Sequence, residues 1–280
     1  MAILVGIERN FISRQEGVER LTKLVNWLAA ADRFHGVWPH WINGETGKVK
    51  PFSLNDDGGD LVETSYLAQG LLCARQYFKD GNKAEQKLAQ RIDELWRGIE
   101  FDWHRQDNQN VLYWHWSPLH RWEMNFPVEG YNECLILYVL AAGSPMHGIA
   151  ANVYHDGWAR KGGIRNDSTH LQYGYHLSLK HNFAPQYGGP LFWSHYSFLG
   201  LDPRMLEDRY ANYWEENRSH TLINRQYCLE NPKGYSGYGE DCWGLTASYS
   251  IKGYAAHSPN EDLGVHFPDS GIVIDPLHSY

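Results

Sequence analysis

Four carboxylates stand within eight positions of the stretch FSLNDDGGDLVETSYL, residues 52 to 67: Asp56, Asp57, Asp60 and Glu63. Like charges at that density raise one another's pKa and are costly near a core unless something answers them. Asp60 and Glu63 are three apart at a predicted helix start, so they fall on one helix face. Two readings stand side by side. They are N-terminal acids favoured by the helix dipole, or they are the carboxylates of a reactive site. Four exceed what capping requires, and Gly58 and Gly59 just before Asp60 leave room for the close approach of a ligand. Glu133 is a second acid of interest, expected in the first turn of the apolar helix YNECLILYVLAAG, residues 131 to 143. A carboxyl there tends to keep its proton, which suits a general acid; the plain alternative is a satisfied polar residue at a helix start. One carboxyl that donates a proton and another that is ionised are what glycoside hydrolysis requires.

The surrounding residue types fit a sugar. The chain carries 12 Trp, 18 Tyr and 10 Phe beside 27 Gly and 15 His. Many of these rings fall in connections rather than periodic helices, as in HGVWPHWING, LYWHWSP and GGPLFWSHYSF. Flat rings on loops suit the faces of pyranoses. The histidines, among them His35, His40, His115, His195 and His257, form no HExxH or other close ligand pair, so no catalytic metal and no cofactor is expected. Glu240 and Asp241 precede a predicted helix in GYGEDCWGLTAS, where a cap and a substrate contact are equally open. Walker, GxGxxG and GxSxG motifs are absent. Cys73, Cys134, Cys228 and Cys242 are widely spaced with no CxxC pair, and read as free thiols.

The elements that must position these groups are mostly helical. Ser13 and Glu16 form a capping box ahead of Val18, Leu21, Leu24, Val25 and Leu28, predicting an amphipathic helix over 13–31. A hairpin loop follows in GVWPHWINGETGKVKPF. Helices are predicted over 60–78 and 83–101, an extended segment at NVLYWHWS, and a helix over 131–143 ended by Gly143, Ser144 and Pro145. Residues 145–200 read as an elaborated loop with a small hairpin. The last helix is placed over 202–230, capped by Asp202 with Pro203 in its first turn and stopped at Asn231-Pro232. No strand-helix alternation occurs, which argues against a parallel α/β sheet. Helical hairpins with alternating short and long loops suggest an α/α toroid, and no linker divides the 280 residues into separate domains. A formal charge of −8 disfavours nucleic acid or an anionic membrane as partner. The longest apolar run, CLILYVLAA, is about half of the roughly 20 residues a membrane span needs. The start, MAILVGIERN, lacks the features of a signal peptide.

Five stretches carry a resemblance: residues 33–72, QNVLYWHWSP at 109–118, WEMNFPVEGYNECLILYVLAA at 122–142, GGPLFWSHYSFLGLDPR at 188–204, and YGEDCWGLTAS at 238–248. Together they resemble the glycoamylase-like family of bacterial proteins, which is similar to the endo-β-1,2-glucanases and to the glycoamylase-like domain of cyclic β-1,2-glucan synthases. The match runs from Ile7 to His257. It implies an (α/α)6 toroid and an inverting hydrolase of β-1,2-linked glucose, in a periplasmic or extracellular setting. The family's acidic positions fall on DLVE and NE, here Asp60, Glu63 and Glu133. The resemblance makes Glu133 the proton donor, with Asp60 or Glu63 positioning or activating water. Substrate contacts are then expected from Trp38, His40, Trp41, Asp56, Asp57, Trp114, Trp116, Trp122, Trp193, His195, Glu240 and Trp243, about half of the tryptophans being structural instead.

The chain also departs from the family pattern. The family pattern has most of a further helix ahead of GIERN and ring-closing helices after AAHSPNEDLG, and in place of the latter this sequence has VHFPDSGIVIDPLHSY. A ring short of those helices would expose apolar faces, so self-association is expected. Three functions stay open on the sequence: a glucan hydrolase, a glucan-binding module or inactive fragment, and another α/α-toroid activity such as an epimerase or lyase.

Overall fold

Ser13 begins the first long element as the sequence predicts. Its hydroxyl accepts the Glu16 N–H at 3.1 Å, and helix α2 runs from Arg14–Ala30 behind a short helix α1, Ala2–Glu8. The capping box is only half made, because the Glu16 carboxylate pairs with Arg20. The computed structural model describes residues 1–167, 169–250, 253–262 and 264; positions 265–280, which make up the departing C-terminal stretch, lie outside the described residues. Two compact units are present, one of Met1–Glu129 with Ile136–Trp158, the other of Gly130–Leu135 with Ala159–Tyr280.

In the first unit the predicted hairpin forms from β1, Trp41–Ile42, and β2, Val49–Lys50. Strand β3, Gly59–Asp60, leads directly into helix α3, Leu61–Phe78. Helix α4, Lys83–Arg97, starts with a full capping box between Asn82 and Glu85 and packs on α2 and α3. It ends at Gly98 rather than at 101, and Ile99 and Phe101 turn into the core instead. The extended segment resolves into β4, Leu112–Tyr113, paired with β6, Pro127–Val128, and β5, His115–Trp116, paired with β3. Helix α5, Leu135–Gly143, is shorter than its apolar pattern; Asn132 accepts the Cys134 N–H at 3.0 Å, so 131–134 form a turn. Glu133 therefore lies just ahead of the helix, not in its first turn. Val25, Leu61, Phe78, Ile92 and Leu112 are wholly buried in this unit's core.

The second unit is loop-rich, as residues 145–200 predict, with the hairpin β7, Leu171–Gln172, and β8, Tyr175–His176. A single turn of helix α6, Phe192–His195, precedes helix α7, Tyr213–Glu230. That helix begins eleven residues later than Asp202, because Asp202 is taken by Arg204 and the cap is Asn212, which accepts the Glu215 N–H. Its predicted stop is present: Asn231 adopts the left-handed conformation. No helix follows Glu240 and Asp241 among the described residues; strands β9, Ala247–Ser250, and β10, Gly253–Ala256, pair there. The four cysteines are free, Cys134 and Cys228 buried. Among the described residues no helix is long and apolar enough to cross a membrane.

Candidate active site

The chain path brings the acids and imidazoles of the first unit together. The Asp60 N–H donates to Trp38 O at 2.9 Å and the Leu61 N–H to Trp114 O at 2.9 Å, tying the start of α3 between two aromatic segments. Gly58 is required there, since a Cβ would stand 2.1 Å from the Trp116 carbonyl oxygen. What approaches this glycine closely is therefore the neighbouring strand, not a ligand. Opposite Asp60 in the ladder is His115. Its Nε2 lies 3.3 Å from Asp56 Oδ2 and 3.6 Å from Asp60 Oδ2, while His40 Nδ1 lies 2.8 Å from the same Asp60 oxygen. The other Asp60 oxygen caps α3 by accepting the Glu63 N–H at 2.9 Å. Asp57 accepts the Ser117 hydroxyl and has His120 Nε2 at 3.9 Å. The capping reading holds for Asp60, and its second oxygen is held by the two imidazoles.

Electrostatics divide these groups. Asp60 is 0% exposed, and burial alone would raise its pKa; hydrogen bonds from His115 and His40 overcome this and hold it down at about 2. Burial likewise works to lower His115, but Asp56 and Asp60 lift it to about 9. His40 is raised, chiefly by its bond to Asp60. Glu63 is raised by burial and then by the Asp60 charge, with His40 acting in the opposite direction. At neutral pH the cluster is a buried carboxylate answered by an imidazolium, beside a glutamate that keeps its proton to higher pH than an ordinary one. One oxygen of Asp56, one of Asp60 and one ring nitrogen of His40 lie within 4.8 Å of one another and could hold a cation. In the geometry present, His40 is bonded to Asp60 and His115 supplies the positive charge. Beneath them His104 is buried and neutral, its pKa pushed by burial to about 4, with Nδ1–H donating to Tyr113 O at 3.1 Å.

The tryptophans separate into core and rim. Trp38 is 2% exposed and donates its indole N–H to Leu28 O at 3.0 Å, so it is a core residue and not a sugar platform. Trp116 is buried too, its ring edge-on to His35 and Trp103. Trp41 is 47% exposed, packed beside Phe52 and His40. Trp114 is half-buried and stacks on Phe126 at 5.3 Å and against His115 at 5.8 Å. Trp122 is half-buried, edge-on to His104. His115, Ser117 and His120 are the residues of this cluster that sequence reasoning did not assign to the site. The alternation in LYWHWSP carries the signal for His115: neighbours on a strand face opposite ways.

In the second unit the Glu133 carbonyl accepts the Ser197 hydroxyl at 2.6 Å. His195 bonds Thr221 at 3.0 Å and lines a cavity of about 540 Å³ with Phe198, Trp214 and Asn217. Trp193 packs on Gly189, where a Cβ would strike its ring. Trp243 is half-buried against the Tyr227, Cys228 and Leu245 cluster, under Arg225, and Glu240 is exposed. A buried polar network not legible from the sequence joins His181 to Glu216 at 3.0 Å and the Ser194 hydroxyl to His220 Nδ1 at 2.7 Å. His220 Nε2–H donates to Gly189 O, which fixes its tautomer.

Comparison with known proteins places these residues in context. The glycoamylase family model, described as "Putative glucoamylase", matches residues 125–277. An exo β-1,2-glucooligosaccharide sophorohydrolase (non-reducing end) of Parabacteroides distasonis is 44% identical, over 99% of this chain and 40% of its own length. An endo-β-1,2-glucanase from Chitinophaga pinensis, solved with sophorotriose and glucose, superposes with a TM-score of 0.91 at 65% identity, covering 94% of this chain and 62% of that one. A β-1,2-glucanase structure from Parabacteroides distasonis gives a TM-score of 0.87 at 45% identity, over 93% of this chain and 40% of that one. The chain spans less than two thirds of the length of each of these relatives.

Proposed function

The chain belongs to the glycoamylase-like family, and from that premise we propose that it is a glycoside hydrolase cleaving β-1,2-linked glucan with inversion at the anomeric carbon. The observation that carries the reading is the pairing of a fully buried but ionised Asp60 with Glu63, whose pKa is raised, one helical turn away. Both Asp60 oxygens are occupied by Glu63 N–H and the two imidazoles, so Asp60 is the positioning group. Glu63 takes a proton from the attacking water as its oxygen bonds to the anomeric carbon. The family resemblance assigns Glu133 as the group that gives its proton to the leaving glycosidic oxygen as the old bond breaks. Trp41 with Phe52 supplies an exposed platform for a sugar face. The linkage is inferred from the relatives' substrates. An (α/α)6 ring is the architecture that goes with this reading, supported by the packing of α4 on α2 and α3 and the superposition on β-1,2-glucanases.

A linkage panel tests the proposal. Linear β-1,2-, β-1,3-, β-1,4- and α-1,4-glucans are incubated with the protein and reducing ends are counted. Release from the β-1,2 polymer alone is expected. Binding of that polymer without release would identify a glucan-binding module, and release only from another linkage would overturn the substrate assignment.

A further inference from the structure

We propose that Trp103 and Trp122 form a remote sugar-binding subsite of the first unit, taking a glucose residue of the same chain that is cleaved elsewhere; this rests on the glucan reading above. A cavity of about 210 Å³ is lined by Asp102, Trp103, Asp107, Asn108 and Trp122. None of the four clustered carboxylates lines it, so it stands apart from the catalytic group of the reading above.

Both indoles are braced from behind. Trp103 stacks on His35 with ring centroids 3.7 Å apart and planes 9° from parallel, and His35 is itself bonded to Glu100 at 2.8 Å. One indole face is thereby covered, yet Trp103 remains 42% exposed. Trp122 is held edge-on by His104 at 5.7 Å and by Tyr113 at 5.9 Å. Large apolar rings held in place at the surface are a poor choice for a solvated wall and a good one for stacking a flat ligand at little ordering cost.

The polar wall is equally fixed. Gln106, Asp107 and Asn108 are three successive residues with positive φ, at 37°, 61° and 61°. Arg105 locks this turn by donating to the carbonyls of Gln109 and Asn108, each at 2.8 Å. The Asp107 and Asn108 side chains stand exposed at the cavity edge, offering a carboxylate and an amide to hydroxyl groups. Asp102 is already committed: its Oδ1 accepts the Trp103 N–H at 3.1 Å and faces His147 Nδ1 at 3.2 Å. Two indoles and carboxylates could also suit a quaternary ammonium. With Asp102 engaged, the mixed amide and carboxylate wall favours the neutral, hydroxyl-rich ligand.

Packed rings lie between the cavity and the carboxylate cluster. Trp103 meets Trp116 edge-on at 5.9 Å, and Trp116 is the strand neighbour of His115, which faces Asp56 and Asp60. A glucan cleaved at the carboxylates therefore meets this subsite only with residues distant from the cleaved bond.

Titration calorimetry with β-1,2-gluco-oligosaccharides tests this, in an Asp60→Asn parent so that binding is read without turnover. Trp122→Ala is expected to weaken binding of long oligosaccharides by roughly three- to tenfold, the loss of one aromatic contact, and to leave a disaccharide unaffected. Asn108→Gly, which keeps the left-handed backbone and removes only the amide, is expected to weaken it by a smaller factor. If Trp122→Ala fails to fold, Asn108→Gly decides. Parental affinity in both variants, or heat from choline chloride with no change for oligosaccharides, overturns the subsite. Product release by the Asp60→Asn parent would instead count against the catalytic reading, leaving the binding differences to judge the subsite separately.

Discussion

Replacing His115 with Gln removes the imidazolium between Asp56 and Asp60 while keeping a side chain that can donate to either. In the folded protein His115 titrates at about 9, against an ordinary 6.5. Each pKa unit is worth about 1.4 kcal/mol, so the protonated form stabilises the fold by about 3 kcal/mol where it is fully populated in both states. The low pKa of Asp60 reports the same contact and is not added to this. Because the folded pKa is raised, the stabilisation is present in full below pH 6.5 and is lost as pH rises through 9. His115→Gln should therefore melt roughly 5–10 °C below the parent at pH 6. The gap should narrow through pH 8 and close near pH 10. Thermal unfolding followed by circular dichroism at matched ionic strength from pH 6 to 10 checks it. A gap that stays constant across that range would refute the assignment of His115 as the buried counter-charge.

Further expectations follow from the same geometry. Gly58→Ala drives a methyl into the Trp116 carbonyl and should cost about 1–3 kcal/mol by parting β3 from β5, seen as a lowered urea midpoint. The acid limb of kcat/KM, set by Glu63, should rise to higher pH in His40→Gln, where a helpful charge is lost; pH–rate profiles of the variant and parent read it. Trp38→Ala should destabilise by about 3–5 kcal/mol, whereas Trp41→Ala should leave the melting point within about 1 °C and weaken oligosaccharide binding.

Elements that begin or end on a side-chain cap were legible from local residue types. Ser13, Asp60 and Asn231 act where their positions predict, and the Gly-containing turn between Trp41 and Lys50 closes the expected hairpin. Where a competing local bond exists, pattern reading overshoots: Asp202 is captured by Arg204, and Asn132 forms a turn that delays α5 past Glu133. The acids of DLVE were legible because four like charges demand an explanation. Their counter-charge was not, since His115 lies some fifty residues away and reaches Asp60 only through the pairing of two-residue strands. Residue type alone could not divide the tryptophans either. Trp38 and Trp41 sit three apart in one loop, and a single bond to Leu28 sends one into the core.

The division of labour between Glu133 and Glu63 is tested most directly with two substrates, linear β-1,2-glucan and a dinitrophenyl β-sophoroside, whose leaving group needs no proton. Glu133→Gln should lose at least about a hundredfold on the polymer and retain most activity on the activated glycoside, while Glu63→Gln loses both. Equal losses on the two substrates in Glu133→Gln, or undiminished polymer cleavage in either variant, would contradict the account.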